Sequence, residues 1–160
     1  MKMLNILIAM TLAVGLLNAC QEPQQKKDSQ EIFNKELALK LKADQYGMSS
    51  YVMAFLKRGP NRSQDSLTAA NLQIAHLENI TKMAEEGTLV LAGPFLDDGD
   101  IRGIYIFNVA TVEEARKLTE SDPAIKAGRL VMELHPWYGS AAIKKINAIH
   151  NQLTKESISE

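Results

Sequence analysis

Three histidines, one cysteine and a few acidic residues at marked positions are the groups in this chain best suited to chemistry near neutral pH. His76 falls in a stretch of helical periodicity, at the edge of its apolar arc between Leu72, Ile80 and Met83, and away from Glu78 and Lys82. A half-buried imidazole there can act as a general base. It can equally be a core-edge histidine satisfied by a backbone carbonyl. Asp122 directly precedes Pro123, the pattern of a helix N-cap followed by proline at the first helical position. The two roles are compatible, because a carboxylate can cap with one oxygen and orient an imidazole with the other. His135 and His150 belong to different elements and share no metal-ligand spacing. Asp97, Asp98 and Asp100 lack the twelve-residue spacing and terminal glutamate of a calcium loop, so they read as a solvated turn. Neither a nucleotide-binding glycine motif nor a nucleophile elbow occurs, and no metal or other cofactor is expected.

The elements that must position these groups follow from periodicity and turn chemistry. Ser50 to Leu56 reads as a strand closed by Arg58-Gly59-Pro60-Asn61, a turn signal. Leu67 to Glu86 reads as an amphipathic helix: Ala70, Ile74, Leu77 and Ala84 cluster on one side, and Gly87 is its natural stop. Thr88 to Phe95 and Ile101 to Val109 read as strands joined by Asp97-Asp98-Gly99-Asp100. Thr111-Val112-Glu113-Glu114 opens a second helix with a capping-box pattern, running to about Glu120. Arg129 to His135 is the fourth strand, and Ala141 to Leu153 a final helix. The order strand, helix, strand, strand, helix, strand is the ferredoxin-like βαββαβ unit, α+β with one antiparallel sheet and both helices on one face. Leu89-Val90-Leu91-Ala92 and Ile104-Tyr105-Ile106-Phe107 are apolar at nearly every position and expect burial on both faces. A second copy of the domain is the economical cover for the face without helices.

The 160 residues have the composition of one globular domain, 46% hydrophobic and 23% charged. A net charge of -1 with mixed signs argues against a nucleic-acid partner. The amino terminus differs from the rest. Met1-Lys2-Met3 leads into an apolar run from Leu4 to Leu17, too short to span a membrane comfortably, ending in Leu17-Asn18-Ala19-Cys20. That ending resembles the lipobox of bacterial lipoproteins, in which a small residue precedes a cysteine that is cut and acylated. The reading is a signal peptide over 1-19 and a lipid such as palmitate on Cys20. A polar tether follows over 20-46, in which Phe33, Leu37 and Leu41 fall on one face of a possible short helix. Behind it come a domain over 47-140 and a carboxy-terminal helix and tail over 141-160. Two or more acyl chains would hold the protein in the cell envelope.

Several motifs in order resemble the YCII-related family: Tyr51-Val52-Met53, His76, Gly87 to Phe95, Arg102-Gly103-Ile104, Glu113-Glu114-Ala115, Asp122-Pro123-Ala124, Ala127-Gly128-Arg129 and His135-Pro136-Trp137. The resemblance covers roughly Ser50 to Ser140. It implies a homodimeric α/β barrel related to muconolactone isomerase, with a histidine of the first helix and the aspartate of the Asp-Pro step as the proposed catalytic pair. Those are His76 and Asp122 here. It implies no general substrate, so acid/base chemistry on a small molecule and plain capture of one stand as rival expectations. Gly93 and Pro94 can shape a strand end where a ligand approaches backbone. Tyr51, Phe95 and Trp137 are candidate pocket walls, or plain core aromatics.

Overall fold

A computed structural model describes residues 33–156. Cys20 and the segments before Phe33 that read as signal peptide and tether lie outside the described residues. A short helix α1 (Lys35–Lys40) is capped by Asn34, whose side chain accepts from the Leu37 amide at 2.9 Å. The domain then runs β1 (Met48–Arg58), α2 (Ser66–Glu85), β2 (Leu89–Pro94), β3 (Ile101–Phe107), α3 (Val112–Glu120), α4 (Pro123–Lys126) and β4 (Leu130–Ser140). A 3-10 turn (Ala141–Lys145) leads into α5 (Ile146–Leu153).

The four strands form one antiparallel sheet in the order β2-β3-β1-β4, the ferredoxin-like arrangement. Local chemistry sets its boundaries. Asp65 caps α2 by accepting from the Thr68 amide, and Gly87 ends it at φ +71°, a left-handed conformation open to glycine. Thr111 and Glu114 form the full capping box at α3. Asp122 caps α4 with Pro123 next to it. β4 extends five residues beyond His135, through Pro136; it is an edge strand, where a residue lacking an N–H is tolerated.

The sheet has two different faces, fixed by alternation along the strands. The face under α2 and α3 carries Val52, Ala54, Leu56, Leu89, Tyr105 and Phe107, all buried in the main core with Met83 and Ala115. The opposite face carries Tyr51, Val90 and Ile106, packed with Met53, Leu91, Trp137 and Ile143. Part of this second face, expected to await another subunit, is thus covered by the chain itself. Ile143 of the 3-10 turn packs on it, and Asn147 of α5 donates to the Leu89 carbonyl at 2.7 Å. The final helix expected over Ala141 to Leu153 accordingly begins as this 3-10 turn, with Ser140 accepting from the Ala142 amide.

Among the described residues no helix is long and apolar enough to cross a membrane.

Candidate functional site

His76 lies at the centre of the buried side of α2, not at its edge: it is 5% exposed, whereas Ile74 is 47% exposed. The apolar arc legible in the sequence is centred on Ala70 and Ile74. The side actually buried is the one bearing His76 and Met83, and a polar partner meets the imidazole there. That partner is Asp122, fully buried, whose Oδ2 is 2.7 Å from His76 Nδ1. Asn79 also donates to Oδ2, at 3.3 Å, and is itself steadied by the Ser121 hydroxyl. The other oxygen, Oδ1, accepts from the amides of Ala124 (2.8 Å) and Ile125 (3.2 Å). One carboxylate therefore caps α4 and holds the imidazole of α2, joining residues 46 apart in sequence. Both oxygens have donors, which is what a buried carboxylate needs.

The hydrogen-bond pattern sets the tautomer. An ionised carboxylate only accepts, so Nδ1 carries the proton and Nε2 is left with its lone pair. Tyr105 places its hydroxyl 3.3 Å from Nε2, with its ring stacked on the imidazole at 19° and 6.3 Å between centroids. Burial, and secondarily the charge of Asp122, push the Tyr105 phenol well above its usual pKa, so it stays a proton donor.

His76 and Tyr105 line a cavity of about 370 Å³ between α2 and the end of the sheet. Leu56, Leu77, Ile80 and Leu130 form its apolar walls, and Gln73 and the arginines Arg58, Arg62, Arg102 and Arg129 its polar ones. Gly93 and Pro94 of β2 border it, where a ligand can reach backbone. Asp122 does not touch the space; it stands behind His76.

The three aromatic wall candidates lie elsewhere. Tyr51 and Trp137 pair across β1 and β4 on the opposite face, their rings 5.7 Å apart, and the Tyr51 hydroxyl donates to the Ser140 carbonyl at 3.1 Å. Phe95 follows β2 and is 43% exposed, outside the cavity. β1 is apolar on both faces, so its sequence does not mark which alternate set faces the helices, and Tyr51 belongs to the other set; in β4 Trp137 shares its outward side with Glu133 and His135.

Sequence reasoning also passed over Tyr105, Asn79 and the four arginines. Tyr105 is hidden in the run Ile104 to Phe107. The arginines come from three separate segments, and three of them adjoin a glycine: Arg58-Gly59, Arg102-Gly103 and Gly128-Arg129. Those glycines draw the strand ends together. A Cβ at Gly59 would collide with the Gly128 carbonyl, and one at Gly103 would meet the Gly93 carbonyl at 2.6 Å.

The Asp97 loop is an exposed turn in which Asp97 accepts from the Gly99 amide at 2.8 Å. Among the described residues no group of three or more His, Cys, Asp or Glu side chains is gathered that could hold a metal ion.

Fold and site together define a ferredoxin-like α+β domain with a buried histidine–aspartate pair opening on a small cavity. The YCII-related domain matches residues 51–138, more than half of the sequence, and the chain belongs to that family. Among curated proteins none matches it. A solved structure similar to it is 5-chloro-2-hydroxyhydroquinone dehydrochlorinase (TftG) from Burkholderia phenoliruptrix AC1100, in complex with 2,5-dihydroxybenzoquinone. The two share 20% identity with a TM-score of 0.41, over 54% of this chain and 92% of that one.

Proposed function

We propose that this YCII-related protein is an acid/base catalyst of the isomerase or lyase type, acting on a small organic molecule in the cell envelope. The observation that carries the reading is the bond of His76 Nδ1 to Asp122, which leaves Nε2 free of the carboxylate in a residue that lines the cavity. In such a reaction a substrate C–H next to a carbonyl replaces the Tyr105 hydroxyl as the partner of Nε2. The imidazole takes that proton and becomes imidazolium, stabilised by Asp122, while the C–H electron pair moves onto the carbonyl oxygen as an enolate. Returning the proton to another carbon is an isomerisation. Collapse of the enolate with loss of a leaving group, which departs with the proton, is an elimination. Tyr105, held protonated, is the donor for the enolate oxygen.

The test needs no known substrate. An extract of small molecules from the envelope, incubated in D2O with the full chain, is expected to yield compounds with carbon-bound deuterium or a new product, and His76→Gln abolishes both. A compound retained by the protein and recovered chemically unchanged, without deuterium, overturns the reading in favour of a binding module.

The protein's location and assembly belong to the same reading. The lipobox ending at Cys20 supports a lipid anchor; intact mass should show an acylated Cys20, and Cys20→Ala should leave the protein uncut or soluble. The part of the outer sheet face not covered by the C-terminal segment, with Phe55 and Ile104 half-buried and Val131 exposed, supports a homodimer. A dimer burying at least about 1,000 Å² should appear in sedimentation; a monomer at micromolar concentration ends that part of the proposal.

A further inference from the structure

The walls of the cavity are unbalanced in charge. Arg58, Arg62, Arg102 and Arg129 line it, and no aspartate or glutamate does, in a chain whose formal net charge is -1. Among the described residues none of the four has a carboxylate within ion-pairing distance; the pairs present are Lys57 with Glu133, His76 with Asp122, Lys82 with Glu86 and His135 with Glu133.

Three of the guanidinium groups are instead fastened by neutral acceptors. Arg62 donates to the Arg129 carbonyl at 3.2 Å, Arg129 to the Gln64 side-chain carbonyl at 3.0 Å, and Arg102 to the carbonyls of Asp97 and Gly99, both at 3.2 Å. Each of these uses one nitrogen and leaves the rest of the planar fork free. A guanidinium offers five N–H donors and cannot shed its charge, so four of them side by side repel one another unless an anion comes between. The repulsion is visible at Arg62, whose pKa is lowered by partial loss of hydration and then by Arg129, Arg58 and Arg102.

Such crowding is costly and is built in by close backbone approach. The Gly59 amide bonds the Arg129 carbonyl at 2.8 Å, which brings the end of β1 and the start of β4 together with their arginines. Along β1, Arg58 lies four residues beyond Ala54, the partner of Tyr105, or about 13 Å of strand. The cationic end of the cavity is therefore displaced along the sheet from the level of the imidazole.

We propose that the cavity takes a small organic anion, bearing a carboxylate or a phosphate, which the arginines hold by its charged group while its uncharged part reaches His76. The proposal rests on the acid/base reading for what happens to the ligand, but not for how it is held. It names the substrate class: an acid of a size matching about 370 Å³, with a charged group remote from the reacting carbon. Bidentate arginine contacts to either oxyanion are among the strongest hydrogen bonds available to side chains.

The test is a binding titration of the full chain with phthalate, phenyl phosphate and the uncharged benzamide, followed by NMR at the arginine side chains and by calorimetry. One or both anions should bind at the arginines, and which one binds more tightly distinguishes the carboxylate from the phosphate source; benzamide should bind at least about tenfold more weakly. Arg58 and Arg62 are exposed, and the Arg58 guanidinium makes no hydrogen bond to the described residues, so Arg58→Gln with Arg62→Gln removes charge without touching the core. That pair should weaken anion binding at least about tenfold. Arg102→Lys keeps a charge but loses the fork, and should give an intermediate loss.

Lys117→Gln, which removes an exposed cation outside the cavity, should hold the anions within about threefold of the native chain. Benzamide binding as well as the anions, or anion affinity unchanged in both arginine variants, overturns the proposal. If anions bind as described yet no His76-dependent exchange of carbon-bound hydrogen occurs, the acid/base reading fails and this one stands. If that exchange occurs while the arginine variants bind anions normally, the reverse holds.

Discussion

Two tyrosines on the same sheet, Tyr51 and Tyr105, are almost equally buried, at 1% and 2% exposure, and do opposite things. Tyr51, on the face turned from α2 and α3, gives its hydroxyl to a main-chain carbonyl and its ring to Trp137. Tyr105, on the face beneath the helices, gives its hydroxyl to an imidazole that is itself bound to a carboxylate. Burial alone therefore does not separate a structural polar group from a chemical one. What separates them is whether the partner can change its protonation state and whether open space adjoins it. Tyr51 on the outer face closes its hydroxyl on backbone, and Tyr105 on the inner face closes its own on a side chain beside a cavity.

The largest effect that probes this contrast comes from Asp122→Ala. It strands the His76 ring N–H, the Asn79 amide and two backbone amides at a fully buried position, and should cost about 3 kcal/mol in a denaturant titration. Asp122→Asn has one acceptor oxygen where the carboxylate has two, so it can cap α4 or accept from His76 but not both, and should cost about 1 to 2 kcal/mol. The downfield ring N–H resonance expected from the charge-assisted bond to Asp122 should then move upfield. A resonance at the same place in the native chain and in the Asp122→Asn variant would mean that the bond is not made in solution.

Next in size, Trp137→Ala on the outer face should cost about 2 to 3 kcal/mol by opening space against Tyr51. It should leave the His76 ring resonances in place; movement of them would show that the two faces are energetically coupled through the sheet. Smaller still, Tyr51→Phe and Tyr105→Phe should each cost about 1 kcal/mol, one hydrogen bond apiece. Only the second should alter the His76 Nε2 resonance. Equal responses to both substitutions would erase the distinction between the two faces.

The smallest effect appears in alkali. Burial raises both phenols, and Asp122 raises Tyr105 further. The unfolded chain ionises its phenols near pH 10 while these two keep their protons in the folded state, so unfolding releases protons above that pH. Stability should be unaffected by them below about pH 10 and should fall as pH rises beyond it. Tyr105→Phe should make that fall shallower, and Tyr51→Phe should do so by less, as read from denaturation midpoints at increasing pH.

Much of the subunit was legible in the sequence because its boundaries are written in local chemistry. Thr111 with Glu114, Asp122 with Pro123 and Gly87 each satisfy or terminate a helix end through neighbours a few residues away, and the structure uses all three as read. The strand order followed from the alternation of elements. Facing was harder. Tyr51 sits in a strand apolar on both sides, so no polar alternation announced that it looks away from the cavity, whereas Trp137 shares its side of β4 with Glu133 and His135, an alternation that was there to be read. His76 looked peripheral because the periodicity of α2 weighs apolar atoms only, and the side that is buried includes a polar residue matched by Asp122. The arginine cluster was out of reach for a different reason. It is assembled from three segments by backbone contacts at Gly59 and Gly103, and no local pattern encodes such a meeting.

The double duty of Asp122 makes part of the main chain a reporter on the imidazole. The amides of Ala124 and Ile125 rest on Oδ1 of the carboxylate whose Oδ2 holds His76. A proton arriving on the ring draws charge toward Oδ2 and loosens the hold of Oδ1 on those two amides. Their backbone signals in a heteronuclear spectrum should therefore register a protonation event across the carboxylate. The first turn of a four-residue helix becomes a gauge of ligand arrival that needs neither a label on the histidine nor knowledge of the ligand.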